Sequence, residues 1–171
     1  MSESYSAGAY WGSRQESAEE CAQRAETFFR LLAECHPSYA HWYAKSNSTS
    51  KKLQPGFEPT RETFLRFFAK KKYRSGTNGF YFGAWTGQEE EEQGGAVTLF
   101  CGTQGEYASN HVLLYLPVEA PGREQLLTPV VLSGVMRALA LAWAPDWGVA
   151  VSGTSGTRCQ STAQQGHSWV G

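Results

Sequence analysis

The stretch that most constrains this chain is Gly8-Ala9-Tyr10-Trp11-Gly12, followed by Arg14, Glu16 and Ser17. Two large aromatics sit between glycines in the first dozen residues, where chains ordinarily fray. Something must hold this end in the fold. Tyr5, Ala7, Ala9 and Trp11 alternate with smaller or polar residues, the period of a strand. Ser17 followed three positions later by Glu20 is a capping-box pattern that opens a helix. The start therefore reads as a first strand feeding directly into a first helix.

That helix carries Cys21, Ala25, Phe28, Leu32 and Cys35 at steps of four and three, one apolar stripe ended by Pro37. Residues 37–59 read as irregular, with Tyr39, Trp42 and Tyr43 suggesting a further helical turn. The polar run 46–52 reads as an exposed loop. Thr60 caps a second helix through Phe64, Leu65, Phe67 and Phe68, closed by Lys70, Lys71, Lys72 and Arg74. Gly79–Trp85 and Ala96–Cys101 read as an antiparallel hairpin with a long polar tip holding Glu89, Glu90, Glu91 and Glu92. His111–Leu116 is a third strand of this region. Thr128-Pro129 starts a helix that is apolar nearly all round through Trp143, so it belongs in the core. Gly148–Val151 is a last short strand.

The expected fold class is α+β: an antiparallel or mixed sheet of about five strands, with helices packed mainly on one face. Residues 1–152 form a single domain. From Gly153 to Gly171 the composition turns to Gly, Ser, Thr and Gln, the signature of a flexible or atypical tail.

Length and charge narrow the function classes. A chain of 171 residues holds one sizeable core. A net charge of -1 gives no global pull toward nucleic acid or anionic membrane. The four cysteines, Cys21, Cys35, Cys101 and Cys159, show no CxxC spacing and read as reduced, mostly buried thiols of a cytoplasmic protein. There is no basic-then-apolar leader pattern, and the most apolar run is too short to span a bilayer. No phosphate loop, dinucleotide fingerprint, zinc-protease or nucleophile-elbow motif is present, so no cofactor, metal or catalytic residue is expected.

Three local features invite a functional reading. Cys101 and His111 could approach across neighbouring strands as a hydrolase pair, but no third orienting residue accompanies them. The basic residues between 51 and 74 (Lys51, Lys52, Lys70, Lys71, Lys72 and Arg74) suit phosphate contacts, against the simpler role of a solvated helix end and loop. Glu89 to Glu92 suit an acidic finger on a basic protein partner, against that of a solubilising tip. Tyr10, Trp42, Tyr43 and Trp147 lie at element ends, where aromatics often serve as interface anchors.

Several pieces in one order resemble the immunity protein 52 family of bacterial polymorphic toxin systems. They are Gly8-Ala9-Tyr10-Trp11-Gly12 with Arg14, Glu16 and Ser17; Cys21-Ala22; Trp42-Tyr43; Gly79-Phe80 and Trp85-Thr86-Gly87; Cys101-Gly102; Asn110-His111-Val112 through Leu116-Pro117; and Trp143-Ala144-Pro145-Asp146-Trp147. The resemblance implies a cytoplasmic antidote that binds and blocks a cognate toxin, often a nuclease, without being an enzyme. It makes Glu89, Glu90, Glu91 and Glu92 the first toxin-binding candidates, with Tyr10, Trp42 and Tyr43 after them. It also implies ordered strand-like sequence beyond Pro-Asp-Trp-Gly, where this chain turns to Gly153-Thr154-Ser155-Gly156. A truncated or out-of-frame end would leave a sheet edge open, a route to a homodimer.

Overall fold

The computed structural model describes residues 3–45, 55–76, 78–87, 94–119 and 121–154. Its centre is an antiparallel sheet of eight strands: β1 (Glu3–Trp11), β2 (Trp42–Ala44), β3 (Gly56–Phe57), β4 (Arg74–Ser75), β5 (Gly79–Trp85), β6 (Ala96–Cys101), β7 (Asn110–Tyr115) and β8 (Trp147–Thr154). The order across it is β3-β2-β5-β6-β7-β1-β8, with β4 pairing the start of β5 on the same edge whose end pairs β2. The opening stretch is thus not an edge but an inner strand, hydrogen-bonded to β7 on one side and β8 on the other. That pairing is what holds the N-terminal end.

The α+β class and the one-sided helix layer are as expected, but the sheet is larger than five strands. The additional strands are β2, β3 and β4, of three, two and two residues. Such short pieces carry no period of their own and exist because β5 offers its edge. Trp42 and Tyr43 accordingly belong to a strand, preceded by a single turn of 3-10 helix at Pro37–Tyr39, rather than to a helical turn. Lys71–Tyr73 likewise forms a 3-10 turn after the second helix instead of extending it. The final strand runs to Thr154, past the predicted domain boundary at 152, while 155–171 lie outside the described residues.

Helices α1 (Ala18–Cys35), α2 (Arg61–Phe68), the short α3 (Arg123–Leu126) and α4 (Pro129–Trp143) complete the described fold. Local chemistry sets the ends of three of them. Ser17 Oγ accepts from Glu20 N while the Glu20 carboxylate accepts from Ser17 N, the full reciprocal box. Thr60 and Thr128 cap α2 and α4 in the same sense. Helix α1 lies between α4 and α2, and the helix layer covers β1, β8 and β5. The core beneath it is aromatic: Phe82 meets Phe57, Phe64, Phe67 and Tyr73 within 4.9–5.6 Å, and Trp11 stacks on Trp143 at 5.6 Å. Helix α4 is buried on one side only. Val130 and Leu141 are 82% and 57% exposed, so it roofs the core rather than running through it.

One finding overturns the reading of all the cysteines as reduced thiols. Cys21, in the first turn of α1, is joined by a disulfide to Cys101, the last residue of β6. Both are fully buried, with a Cα–Cα distance of 6.2 Å. Their 80-residue separation hid the pairing from sequence, and closing so long a loop stabilises the fold by about 4–5 kcal/mol in the chain-entropy view. Among the described residues only Cys35 is a free thiol.

Beside this bond lies a buried carboxylate, Glu16, 6% exposed. Its Oε1 accepts from Arg24 Nε and stands 3.9 Å from Arg14. The two arginines turn their remaining donors onto the last carbonyls of α4: Arg24 on Ala142, Arg14 on Trp143 and Ala144. Helix α4 has no basic residue in its own last turn, so its negative end is capped from another element. Removing Glu16 leaves two guanidinium groups without their counter-ion in a half-dry site. Both arginines retain contact with solvent, which moderates the cost. Glu16→Ala should lower unfolding stability by about 2–3 kcal/mol in urea titrations, against about 1 kcal/mol for Ser17→Ala, which loses only a cap; equal losses would remove the charge cluster from this account.

Candidate functional site

Because side chains alternate along a strand, the sheet has two unlike faces. The positions at Ala7, Ala9 and Trp11, Phe80 and Phe82, Val97 and Leu99, and Val112 and Leu114 are buried against the helices. The intervening positions face the other way, where no described helix lies. Register brings Tyr81, Phe100, His111, Tyr10 and Trp147 side by side there, one from each of β5, β6, β7, β1 and β8.

These five rings touch in sequence. Ring centroids are 4.8 Å apart for Tyr81–Phe100, 4.7 Å for Phe100–His111, 5.9 Å for His111–Tyr10 and 4.2 Å for Tyr10–Trp147. Cross-strand contacts of this kind stabilise a sheet even without a covering layer. The next rows along the same face are Gly83, Thr98, Leu113, Gly8 and Val149, then Trp85, Ala96, Tyr115, Ser6 and Val151. None of these residues is Asp, Glu, Lys or Arg. At Gly8 a Cβ would come within 2.6 Å of Leu113 and 2.9 Å of the Tyr10 ring, so glycine here lets Tyr10 lie low across the strand. Tyr115, Trp147 and Val151 are 44%, 37% and 42% exposed. The Lys45 side chain lies against Gly83 on this face; the aromatic row itself carries no charge, and a row of rings that no described helix covers is the candidate interaction surface.

The sequence-based candidates separate clearly on this frame. Tyr10 is in the middle of the row, half-buried, its hydroxyl pKa pushed up by burial. Tyr43 pairs with Trp85 at the far side of the sheet and is also half-buried. Trp42 is not an interface residue: it is 1% exposed, packs edge-on to Phe29 at 5.0 Å, and donates its indole N–H to Tyr39 O. Residue Trp42 therefore belongs to the core. Glu89, Glu90, Glu91 and Glu92 lie outside the described residues, between the ends of β5 and β6. Trp147 is an element-end aromatic in the sequence, like Tyr10, but Tyr81, Phe100 and His111 carry no sequence signal as interface residues, because only the register of four strand pairs brings the five together.

The hydrolase pair fails on geometry. Cys101 points into the helix side of the sheet and its sulfur is in the disulfide, whereas His111 points out of the opposite face. Of the basic cluster, Lys51 and Lys52 lie outside the described residues. Lys72 sits over the Tyr73 ring at 4.9 Å and Arg74 over Phe80 at 4.9 Å, using their charges within the domain. His36 closes α1 and accepts from Ser38 N through Nδ1, which places its proton on Nε2 facing Gln125.

A model of immunity protein 52 matches residues 3–171. The chain belongs to the immunity protein 52 family. The match runs through the residues beyond β8 as well as the described fold. No curated protein matches this member of the family. Among solved structures, the Pseudomonas aeruginosa T6SS protein PA0821 is similar in fold, with a TM-score of 0.50 at 12% identity. The alignment covers 88% of this chain and 40% of that one, so this chain spans less than half of that protein's length. No helix among the described residues of this immunity protein is long and apolar enough to cross a membrane.

Burial lowers the His111 pKa below its ordinary value. The unfolded chain, with histidine near ~6.5, then binds the proton more readily than the folded one. Stability from neutral His111 is complete above that value and is lost as pH falls toward the folded pKa. Melting temperature should therefore drop between pH 7.5 and 5.5, and His111→Phe should flatten the drop; an unchanged slope would show that His111 stays accessible to protons.

Proposed function

We propose that this member of the immunity protein 52 family neutralises a cognate toxin by stoichiometric binding through the open face of its sheet. The observation that carries the reading is the five-ring row Tyr81–Phe100–His111–Tyr10–Trp147 on the face of the sheet turned away from the helices, with no Asp, Glu, Lys or Arg in the row itself. Aromatic anchors surrounded by smaller apolar groups are the usual centre of a tight protein interface. Tyr107, 91% exposed, lies in the loop that joins β6 and β7 just beyond Phe100 and His111. The protein acts by occupying the toxin and not by chemistry of its own.

A nucleic-acid ligand fits this face poorly. Single-strand binders combine stacking faces with a cationic track. Here the aromatic row carries no lysine or arginine, a single lysine, Lys45, lies beside Gly83 in the next row, and Tyr10 and Trp147 are stacked on each other with planes 11° apart. A toxin of the nuclease type is the partner that suits the acidic hairpin tip. Glu89, Glu90, Glu91 and Glu92 follow the end of β5 that carries Trp85, so an approaching basic surface would be steered by the tip and held by the sheet.

Cells producing the cognate toxin should survive only when this protein is co-produced; no protection and no complex in a pull-down would overturn the reading. Tyr10→Ala and Trp147→Ala should each weaken binding by about 30-fold or more, while Val130→Ser, on the helix side, leaves it unchanged. Replacing Glu89, Glu90, Glu91 and Glu92 with Gln should slow association and reduce its salt dependence without greatly changing dissociation. Unaltered association would leave the tip without a role.

A further inference from the structure

Strand β8 ends the sheet on one side, and among the described residues its outer edge has no partner strand. Edge strands are ordinarily short, charged, broken by proline or covered. This one is eight residues long, WGVAVSGT, with no charge and no proline. Alternation puts Trp147, Val149, Val151 and Gly153 on the aromatic side of the sheet, and Gly148, Ala150 and Ser152 on the helix side. The helix layer stops short of this margin. Ala7 and Ala9 of the neighbouring β1 are buried, whereas Ala150, Val151 and Ser152 are exposed. The nearest helix, α4, turns an apolar flank outward as well. Its Gly134 meets α1, where a Cβ would come within 2.9 Å of the Cys35 sulfur. With 3.6 residues per turn, Leu132 and Met136 lie on the opposite flank, away from α1. There, with Ala140 and Leu141, they line an open groove of about 420 Å³.

We propose that the occupant of this margin is a second copy of the chain, whose β8 pairs antiparallel with the first about a two-fold axis through Ala150. The strand is complementary to itself in that register. Trp147 falls opposite Gly153 of the second copy, Gly148 opposite Ser152, Val149 opposite Val151, and Ala150 opposite Ala150. A large ring thus meets a glycine and valine meets valine, all on one face, as Tyr10 already lies over Gly8 within the sheet. A shift of one residue would set the two copies' side chains on opposite faces. A shift of two either leaves Trp147 beyond the paired strand or sets it against Val151. No charge on β8 opposes its own image across the axis, so the two identical edges approach without repulsion. The sequence from 155 to 171 is a poorer strand for the same edge. Its β-branched and aromatic residues are Thr157, Thr162, Trp169 and Val170, with no alternating run. The axis stands perpendicular to the joined sheet, so both helix layers lie on one side and both aromatic rows on the other. The contact therefore leaves the toxin-binding face proposed above open in each copy and does not rest on it.

The test uses the full chain. Light scattering at micromolar concentration should give twice the 18.9 kDa of one chain. Ala150→Lys sets two ammonium groups opposite each other on the axis and should raise the dimer dissociation constant at least about 30-fold, with an unchanged circular dichroism spectrum. Ala150→Ser should stay dimeric. In a chain carrying Cys35→Ser and Cys159→Ser, Ala150→Cys should cross-link to itself on oxidation. Cα atoms directly opposite in an antiparallel pair lie about 4.5–5.5 Å apart, within disulfide reach. Tyr107→Cys, at a site 91% exposed in the β6–β7 loop, should not cross-link. A monomeric full chain would overturn the proposal. So would a dimer that Ala150→Lys leaves intact, or one that links through Tyr107→Cys as readily as through Ala150→Cys, since the copies would then meet elsewhere. Tyr10→Ala lies outside the contact and should stay dimeric. None of these measurements involves the toxin, so their failure is distinct from failure of the toxin-binding face.

Discussion

The fold depends on one buried carboxylate. Glu16 sits where the turn after β1, the start of α1, the end of β6 and the end of α4 converge. Alone it would be a liability, because an unpaired charge in a dry site is expensive. It is tolerated because Arg24 and Arg14 neutralise it while turning their other donors onto Ala142, Trp143 and Ala144. Helix α4 ends with Ala144 in the left-handed region at φ 44°, a conformation that costs a non-glycine residue roughly 1–2 kcal/mol. The arginine bonds hold that turn in place. One ion cluster therefore satisfies a helix end, fixes a strained turn and neutralises a buried charge, which explains why Arg14, Glu16 and the alanine–proline–aspartate turn go together in this chain.

The consequences reach the opposite side of the sheet. After the left-handed turn, Asp146 accepts from Gly12 N through its carboxylate, and its own N–H donates to Tyr10 O. Buried Asn110 completes the same corner, with its amide donating to Gly12 O and Thr103 O and its carbonyl accepting from Thr103 N. The chain is thus delivered into β8 in register with β1, and Trp147 falls beside Tyr10. A shift of one residue would turn Trp147 toward α4 and break the row. The aromatic face is the outer reading of a register that the inner charge cluster sets.

Local chemistry was easy to read from sequence, and long-range pairing was not. The Ser17–Glu20 box, the Thr60 and Thr128 caps and the β5–β6 hairpin all depend on residues a few positions apart, and they stand where their patterns place them. The strands at 42–44, 56–57 and 74–75 are too short to show a period and form only because β5 presents its edge. Trp42 looked like an element-end anchor, but its indole finds a partner in Tyr39 O and its ring a place among Phe29 and Tyr39. Tyr10 could be singled out from sequence, but its row could not, since four rings come from strands whose order departs from chain order.

The same reasoning separates the two roles of the opening stretch. Ala7, Ala9 and Trp11 face the helices, while Gly8 and Tyr10 face outward. Ala7 and Ala9 must remain small because α4 passes over β1, while Trp11 fills the space beside Trp143. The outward set is free of that demand, and a bare outer face would be satisfied equally well by serine or threonine. Tyr10 instead extends over Gly8 and stacks on Trp147, gaining ring contact at the cost of exposing apolar area to water. A soluble domain gains little stability from such an arrangement on its own. Occupation of that face by the proposed protein partner would account for an aromatic row held in register on the side of the sheet turned away from the helices.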